Sequence, residues 1–264
     1  CMNAAVVAMA TQGLADYISA HHPGDKAVAI AHDSRHDSDT FTQVAAEVLA
    51  GNGIVAHVFD GLRPTPELSF AIRQLGCQAG IVITASHNPK EYNGYKVYWG
   101  DGGQIVPPHD KGIISCVRAV DGLQAVKRAE PGDARIKTIG PQLDRDYYAT
   151  IASHRLDNEL ITEGSDLSVV YSPLHGTGTV SMEPALTACG FRNVEVLASQ
   201  SNPDGAFPTV ESPNPEEASA LRMALERAEE KGADLVLATD PDSDRVGAAV
   251  RDAEGQFRLL NGNE

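Results

Sequence analysis

Three aspartates at alternate positions are the clearest candidate for chemistry in this sequence. Asp240, Asp242 and Asp244 directly follow the strand-like run Asp234–Ala238. Carboxylates spaced in this way can converge on one hard divalent cation, and octahedral oxygen geometry favours Mg²⁺. An EF-hand is excluded because positions six and twelve, counted from Asp240, are arginines where that motif needs Gly and Glu. A solvated acidic turn is the alternative, but three adjacent carboxylates repel one another unless a cation neutralises them.

A second polar segment follows the apolar run Ala79–Ile83. It reads Thr-Ala-Ser-His-Asn-Pro from residue 84 and places Ser86 where a buried strand ends, the edge at which open α/β sheets bind ligands. A turn in which Ser86, His87 and Asn88 bind only loop backbone is the alternative. The G-x-S-x-G elbow of serine hydrolases is absent, because Thr84 and Asn88 occupy its glycine positions. Ser86 and His87 are not expected to form a dyad, since neighbouring side chains on an extended segment point apart.

Three further polar residues are suggestive only in combination. Arg35 follows the strand-like run Ala27–Ala31, where it could meet a phosphate or form a surface ion pair. Lys96 lies near the start of the run Tyr95–Trp99 and, taken alone, is a surface lysine. His175 lies in a glycine-containing turn and is expected to be a hydrogen-bonded loop histidine.

Alternating strand-like and helix-like patterns surround the serine segment. Unbroken apolar runs indicate strands buried on both faces, and spacing of three to four residues indicates amphipathic helices. The predicted strands are Ala27–Ala31, Ile54–Phe59, Ala79–Ile83 and Tyr95–Trp99, and the predicted helices are 2–20, Asp39–Leu49 and Pro66–Leu75. Gly51 and Gly76 are predicted to end the second and third helices. This alternation predicts a mainly parallel α/β layer.

The pattern weakens over Asp121–Ser165 and then restarts around the aspartates. Tyr147, Tyr148, Ile151 and Leu156 indicate one helix within the weak segment. The later elements are strands Leu167–Tyr171, Val194–Leu197, Asp234–Ala238 and Val246–Val250, helices Ser181–Cys189 and Glu216–Lys231, and a Pro-rich loop Asn202–Pro215. We therefore predict two tandem three-layer α/β/α domains with mixed, mainly parallel sheets, covering residues 1–150 and 151–264.

Charge and cysteine content limit the partners and the compartment. The formal net charge is -15, from 21 Lys plus Arg against 36 Asp plus Glu. A chain this acidic repels nucleic acid and anionic membranes unless a basic patch is present, and the sequence shows none. A small anionic substrate stays compatible if a few cationic groups or a metal gather in one cleft. The four scattered cysteines predict no disulfide framework and favour a cytoplasmic setting. No apolar run is long enough to be a membrane span, and the N-terminal residues do not have the pattern of a secretion signal.

The two polar segments together resemble the α-D-phosphohexomutase superfamily, and most closely its bacterial phosphoglucomutase/phosphomannomutase members. The resemblance rests on Thr84–Pro89, then Asn93-Gly94-Tyr95-Lys96, and much later Asp240–Arg245, in this order. It covers essentially the whole chain and implies the first two domains of that family. It also implies an isomerase that moves a phosphoryl group between two hydroxyls of a hexose phosphate, through a phosphoserine and a bisphosphorylated sugar.

The resemblance assigns roles to individual residues. Ser86 matches the serine that carries the phosphoryl group and, through it, contacts the metal, while Asp240, Asp242 and Asp244 match the Mg²⁺ ligands. His87, Asn88 and Lys96 match positions around the phosphoserine, with Lys96 a candidate for proton transfer or electrostatic stabilisation. Arg35, Asn88 and Arg245 are the candidate substrate- or phosphate-binding residues, and His87 is a candidate catalytic residue beside Ser86 and Lys96. A sugar 1,6-bisphosphate is the implied primer, and Mg²⁺ the implied cofactor.

The chain departs from the family pattern at both ends. The glycine-rich opening segment with its phosphate-contacting arginine is missing, as are the third domain with its sugar-recognition loop and the fourth with its phosphate-gripping loop. The missing C-terminal domains are therefore expected partners. We expect the 264-residue chain alone to bind Mg²⁺ but to have little or no mutase activity.

Two other functions stay open from the sequence. An Mg²⁺-dependent phosphatase or phosphotransferase of the haloacid-dehalogenase kind would carry phosphate on Asp240, although Asp244 stands where that motif expects Thr or Val. A non-catalytic metal-binding module would keep only the carboxylates. Among the mutases, glucose, mannose, pentose and amino-sugar phosphates are all open, and the segment Tyr95–Trp99 favours phosphoglucomutase by resemblance.

Overall fold

A computed structural model describes residues 2–260 and 262. The helices are α1 (Ala4–His21), α2 (Ser38–Gly51), α3 (Thr65–Gln74), α4 (His109–Ala119), α5 (Pro141–Ser153), α6 (Asn158–Glu163), α7 (Gly178–Cys189), α8 (Ala198–Ser201) and α9 (Ala218–Lys231), with a 3₁₀ turn at Leu123–Ala125. The strands are β1 (Ala27–His32), β2 (Val55–Phe59), β3 (Ala79–Ile83), β4 (Tyr95–Trp99), β5 (Ile136–Ile139), β6 (Val169–Ser172), β7 (Val194–Val196), β8 (Leu235–Thr239), β9 (Val246–Arg251) and β10 (Phe257–Leu260).

The chain forms two compact units whose border is not a single point in the sequence. The first unit contains the residues up to His32, then His36–Ala85 and Asn93–Gly140. The second contains everything from Pro141 onward, together with two short segments, Asp33–Arg35 and Ser86–Tyr92. The loop that carries Ser86 is therefore part of the same unit as the three aspartates.

The first sheet has the strand order β4-β3-β1-β2-β5. β1 runs parallel to β2 and β3, and β2 runs parallel to β5. β4 is antiparallel to β3, with Ile81 opposite Val97. The loop 84–94 between them is shorter than the dozen or more residues that a parallel crossover needs, so the chain has to return antiparallel.

Helices cover both faces of the first sheet. Val28, Ile30 and Ile81 belong to a buried core shared with α1, α2 and α4. Because side chains alternate along a strand, Gly80 points to the opposite face, where α3 lies. A Cβ at Gly80 would stand 2.3 Å from the Cδ1 of Ile72, so the absent side chain lets α3 pack directly on the sheet.

The second sheet has the order β10-β9-β8-β6-β7. β6 is parallel to β7 and β8, whereas β8–β9 and β9–β10 are antiparallel. Val170, Val236 and Ala238 pack against Leu221 and other apolar residues of α9. On the opposite face, the Tyr171 hydroxyl bonds the hydroxyl of Thr239 beneath the start of α7. Alternation along the strands thus gives this sheet a helix layer on each face.

The predicted fold class is confirmed, with corrections in detail. The first sheet is mainly parallel, but the second is half antiparallel because the loop 240–245 and the turn 252–256 are too short for crossovers. The sequence reading missed α4, α6, α8, β5 and β10, all of which are short or largely exposed and so carry weak hydrophobic periodicity. Gly51 does not cap α2: it is the last helical residue, and Gly53 takes the left-handed conformation instead. Gly76 follows α3 with a positive φ, as expected.

Two further features of the structure concern membrane-spanning helices and the cysteine thiols. Within residues 2–260 and 262, no helix is both long and apolar enough to cross a bilayer. Cys77, Cys116 and Cys189 carry free thiols. Burial raises the pKa of the Cys77 thiol to about 12, so this thiol is inert at neutral pH.

Candidate functional site

Sheet topology brings the polar loops together in two pairs. β1 and β3 are adjacent and parallel, so the segments that leave their carboxyl ends, Asp33–Arg35 and Ser86–Tyr92, are neighbours. β6 and β8 are likewise adjacent and parallel, and their carboxyl ends lead to residues 173–177 and 240–245. Carboxyl ends of parallel strands are where open α/β sheets place ligands. All four loops belong to the second unit.

The three aspartates form a compact cluster of oxygen donors. One carboxylate oxygen from each of Asp240, Asp242 and Asp244 lies within 4.8 Å of the other two. Asp240 and Asp242 are fully buried, whereas Asp244 is exposed. An all-carboxylate donor set of this size fits a hard divalent cation such as Mg²⁺ or Ca²⁺ better than a soft transition metal.

Burial and mutual repulsion disfavour the ionised form of the buried Asp240 carboxylate. Burial raises the pKa of Asp240 to about 8, and the charges of Asp242 and Asp244 add to this effect. The backbone N–H of Arg245 donates to Asp240 Oδ1 at 3.2 Å, which compensates only part of the lost hydration. A bound cation would favour the ionised carboxylate, so the electrostatics and the donor set point to the same kind of ligand.

Ser86 lies directly against this cluster. Its hydroxyl donates to Asp240 Oδ2 at 2.7 Å, and the residue is 9% exposed. The backbone of Ser86 is in the left-handed region, with φ 53°, which turns the side chain out of the strand direction. This contact joins the two segments that the sequence analysis singled out, 154 positions apart in the chain.

His87, Asn88 and Arg245 surround the serine–aspartate contact to different degrees. His87 Nδ1 lies 3.3 Å from Ser86 Oγ, and since Oγ–H donates to Asp240, the ring nitrogen can donate to Oγ but cannot accept its proton. Burial, aided by the charge of Arg245, lowers the pKa of His87. Asn88 and Arg245 have exposed side chains. The phosphate-binding and catalytic roles expected for these residues stay predictions.

Arg35 occupies the inside of the serine loop. Its side chain is 0% exposed, and its terminal N–H groups donate to four backbone carbonyls at 2.5–2.9 Å. Those carbonyls belong to Ser86, Asn88, Pro89 and Tyr92. The contact with a substrate phosphate expected from the sequence stays a prediction, and the structure shows the guanidinium bound to protein carbonyls.

Lys96 belongs to the first unit. It lies on β4 opposite Val82 of β3 and is partly exposed. The Asn93-Gly94 segment before it is anchored locally, because Gly94 O accepts from Thr84 N at 3.0 Å and a Cβ at Gly94 would stand 2.4 Å from Thr84 O. The proton-transfer role of Lys96 stays a prediction.

The turn around His175 supports the aspartate loop, a role that sequence reasoning did not assign. The N–H of Thr177 donates to Pro241 O at 2.8 Å, and Gly176 packs against the Pro241 backbone so closely that only glycine fits. His175 itself is buried, with its ring bonded to Asn202 O and Thr209 Oγ1, as expected of a loop histidine. The Gly-Thr-Gly run was the available signal, since closely approaching backbones require glycine.

Backbone strain is concentrated in these loops. Among the described residues, non-glycine positions with positive φ are Asp37, Ser86, Leu174, His175, Phe207 and Ser243. All except Asp37 belong to the second unit, in the serine loop, the His175 turn, the Pro-rich loop or the aspartate loop. Such conformations cost about 1–3 kcal/mol each and persist where the surroundings impose them, which is typical of ligand sites.

Comparison with known families now identifies these features. The model of the phosphoglucomutase/phosphomannomutase α/β/α domain I matches residues 1–123, and that of domain II matches residues 145–255. The chain belongs to the phosphoglucomutase/phosphomannomutase family. The resemblance to the α-D-phosphohexomutase superfamily is thereby confirmed, and the domain border at residue 150 stays a prediction. The family suggests a metal cofactor, and the acidic triad lies within the segment matched by domain II.

Similar proteins share both halves of the chain. A "Probable phosphoribomutase" of Schizosaccharomyces pombe is 39% identical over 100% of this chain and 46% of its own length. A "Probable phosphomannomutase" of Haemophilus influenzae is 39% identical over 99% of this chain and 53% of its own length. A solved structure from Thermus thermophilus, whose description names a putative phosphomannomutase, superposes with a TM-score of 0.81 at 27% identity and covers 97% of this chain and 55% of that one. The chain spans about half the length of the curated relatives that it matches.

Proposed function

We propose that the whole protein carrying this chain is a phosphohexomutase. It interconverts a hexose 1-phosphate and a hexose 6-phosphate through a phosphoserine at Ser86 and a bisphosphorylated sugar. The 39% identity to relatives named as phosphomannomutase and phosphoribomutase supports this class of reaction. Because those names differ in the sugar, the preference for glucose indicated by the segment Tyr95–Trp99 stays a prediction.

The observation that carries the proposal is the 2.7 Å hydrogen bond from Ser86 Oγ to Asp240 Oδ2. A phosphoryl group on Ser86 would bring its oxygens to the edge of a cluster of three carboxylates. Two like-charged groups at this distance repel each other strongly in a buried site. A phosphoryl group on this serine would need a cation to neutralise it beside the aspartates, and a bound metal would supply that charge, as in metal-assisted phosphoryl transfer.

We assign the cation as Mg²⁺, which Asp240, Asp242 and Asp244 would hold together with a phosphoryl group on Ser86. When bound, Mg²⁺ would neutralise the charge that spreads over the phosphoryl oxygens during transfer. Asp240 and Asp242 are buried and so are held in place, which keeps the donor set preorganised. A sugar 1,6-bisphosphate is the primer that first loads Ser86.

The residues of the chain account for the proton on the serine side. When the phosphoryl group leaves, the P–Oγ bond breaks and Ser86 Oγ takes up a proton from solvent water, which restores the hydroxyl that hydrogen-bonds to Asp240 Oδ2 in the structure. The substrate hydroxyl loses a proton as its oxygen bonds to phosphorus, and Lys96 is the proposed acceptor. His87, with its lowered pKa, is neutral at pH 7 and can donate from Nδ1 to Ser86 Oγ. Asn88 and Arg245 present exposed polar groups to the substrate phosphate, and Arg245 adds the positive charge that an anionic substrate requires.

The proposal is tested on the whole protein by mapping phosphate after incubation with glucose 1,6-bisphosphate and Mg²⁺. The expected result is phosphate on Ser86, and loss of both labelling and hexose-phosphate isomerisation in Ser86→Ala. Ser153→Ala is the matched control, because Ser153 is exposed and its hydroxyl contacts Thr150 O and the neighbouring His154 ring, away from the aspartates. The control is expected to behave as wild type.

Three outcomes would overturn the proposal, and each corresponds to another function. Phosphate on Asp240 in place of Ser86 would indicate an aspartyl-phosphate phosphatase or phosphotransferase. Isomerisation that survives in Ser86→Ala would mean that Ser86 is not the carrier. Metal binding with neither labelling nor isomerisation would indicate a non-catalytic metal-binding module. The cytoplasmic location inferred from cysteine content stays a prediction.

A further inference from the structure

Arg35 is a buried cation whose bonds all run to the protein rather than to an open face. Its Nη1 donates to the carbonyls of Pro89 and Tyr92, both at 2.9 Å. Its Nη2 donates to the carbonyls of Ser86 at 2.6 Å and Asn88 at 2.5 Å. The four acceptors span the whole Ser86–Tyr92 loop, so the loop is wrapped around one guanidinium group.

The remaining surfaces of the guanidinium are also occupied. Its Nε lies 3.3 Å from Asp33 Oδ2, and Asp33 Oδ1 accepts the backbone N–H of Arg35 at 2.9 Å. The ring of Phe207 covers the face of the group, with the guanidinium carbon 5.1 Å from the ring centroid. Phe207 comes from the Pro-rich loop and is buried in a left-handed backbone conformation. Arg35 therefore has an ion-pair partner at one end, carbonyls at the other and an aromatic cover.

Only a guanidinium can make this set of contacts. Arginine carries five N–H donors in a fixed planar fork, whereas lysine has three donors on a single nitrogen. Carbonyl oxygens that converge from one loop repel one another electrostatically unless a cation lies among them. One of the four acceptors, Ser86 O, belongs to the residue whose hydroxyl contacts Asp240. The guanidinium therefore binds the backbone of the same residue that makes this contact.

We propose that Arg35 is the positioning residue of the serine loop: its guanidinium fixes the backbone of Ser86–Tyr92 and thereby aims Ser86 Oγ at the aspartate cluster. This inference rests on the proposed phosphoserine function. It assigns Arg35 to the protein backbone and not to the substrate phosphate, because each of its four terminal N–H groups already has a carbonyl acceptor. The Pro-rich loop also contributes to this positioning, because its residue Phe207 covers the guanidinium.

The test is Arg35→Lys in the whole protein, with Arg222→Lys as the control. Arg222 is 61% exposed on α9, where it pairs with Glu226. Displacing a reacting group by about 1 Å costs on the order of 100-fold in rate. We expect Arg35→Lys to lose on the order of 100-fold in kcat and in the rate of Ser86 phosphorylation by glucose 1,6-bisphosphate. KM and the Mg²⁺-induced rise in melting temperature are expected to stay near wild type, because the substrate contacts and the three aspartates are untouched.

Chemical rescue separates positioning from simple stabilisation. In Arg35→Ala, added guanidinium chloride at low millimolar concentration is expected to restore part of kcat, while methylammonium chloride restores none, because only guanidinium offers the planar fork. If both Arg35 variants fail to fold, Phe207→Leu keeps the loop apolar and removes the aromatic cover. It is expected to lower kcat less than Arg35→Lys and to leave KM unchanged.

The outcomes distinguish this inference from the function beneath it. Wild-type protein that carries no phosphate on Ser86 would overturn the proposed function and this inference with it. Phosphorylated wild type together with an Arg35→Lys variant of normal kcat would overturn the positioning role alone. A rise in KM at unchanged kcat would also overturn it, because that pattern indicates lost substrate binding. The same holds for a change in KM in Phe207→Leu.

Discussion

Gly176→Ala tests whether the turn after β6 sets the position of the aspartate loop. A Cβ at residue 176 would stand 2.4 Å from Pro241 Cα and 2.6 Å from Pro241 O. Both are backbone atoms, so no side-chain rotation can relieve the overlap. Pro241 lies between Asp240 and Asp242, and therefore any displacement of its backbone is passed to the two buried metal-ligand candidates.

The size of the displacement follows from the same distances. Ordinary van der Waals contact begins near 3.4 Å, so the two backbones must separate by about 1 Å. Overpacking of this kind costs about 1–3 kcal/mol of unfolding free energy. Metal–ligand distances tolerate only about 0.2 Å of deviation, so a shift of about 1 Å is expected to weaken Mg²⁺ binding more than it weakens the fold. The hydrogen bond from Thr177 N to Pro241 O, now 2.8 Å, would lengthen at the same time.

Two measurements check this prediction. Urea unfolding of the chelated protein gives the loss of stability, and titration calorimetry with Mg²⁺ gives the loss of affinity. Gly140→Ala is the control, because a Cβ there meets nothing within 4 Å and its φ is not positive. A Gly176→Ala variant that unfolds like Gly140→Ala and binds Mg²⁺ with wild-type affinity would refute the reasoning, because the close approach would then have no bearing on the aspartate loop.

Two more variants probe the chemistry next to the aspartates. Burial raises the pKa of Asp240 from 3.8 to about 8, so between these values the folded protein holds a proton that the unfolded chain releases. The unfolding free energy of the chelated wild type is therefore expected to fall as pH rises through this window, by at most about 1.4 kcal/mol per pH unit, and Asp240→Asn to remove that part of the slope. Urea unfolding at pH 5 and pH 8 measures it, and identical slopes in the two proteins would contradict it. Tyr171→Phe removes the 2.7 Å bond to Thr239 Oγ1 and is expected to cost about 1 kcal/mol by the same assay, with Mg²⁺ affinity retained. A loss of Mg²⁺ affinity in Tyr171→Phe would show that this bond holds the aspartate loop.

Local patterns in the sequence predicted most of the regular structure. The strands Ala79–Ile83 and Tyr95–Trp99 have the bounds expected of them. The first is buried at all five positions and so forms an unbroken apolar run, whereas the second is partly buried and is apolar except at Lys96. By contrast, α4 has only Ile113 buried and β5 is exposed at Lys137 and Thr138, so neither leaves a strong period. β9 runs antiparallel to β8 because the loop 240–245 is too short for a parallel crossover, so the length of this loop predicts the direction of the strand.

Residue types identified the candidate chemistry, but not the partners of each group. Three aspartates at alternate positions indicate a cation site from spacing alone, since the ligands come from one loop. Arg35 was expected to contact a substrate phosphate. The residues around an arginine that follows a strand do not show whether its side chain faces solvent or is buried. Burial within the Ser86–Tyr92 loop, and the cover supplied by Phe207, follow from which loops are neighbours in space.

The sequence by itself determined the alternation of strands and helices, the acidic triad and the serine loop, because each is encoded within a few consecutive residues. Only the tertiary structure decided that Ser86 donates to Asp240 across 154 positions and that Arg35 holds the loop of Ser86 across 51. For the contact of Arg35 with Ser86, the physical reason is that strand order, and not local composition, determines which loops meet at the edge of one sheet. Placement of β1 beside β3, and of β6 beside β8, depends on the burial of whole strands and helices.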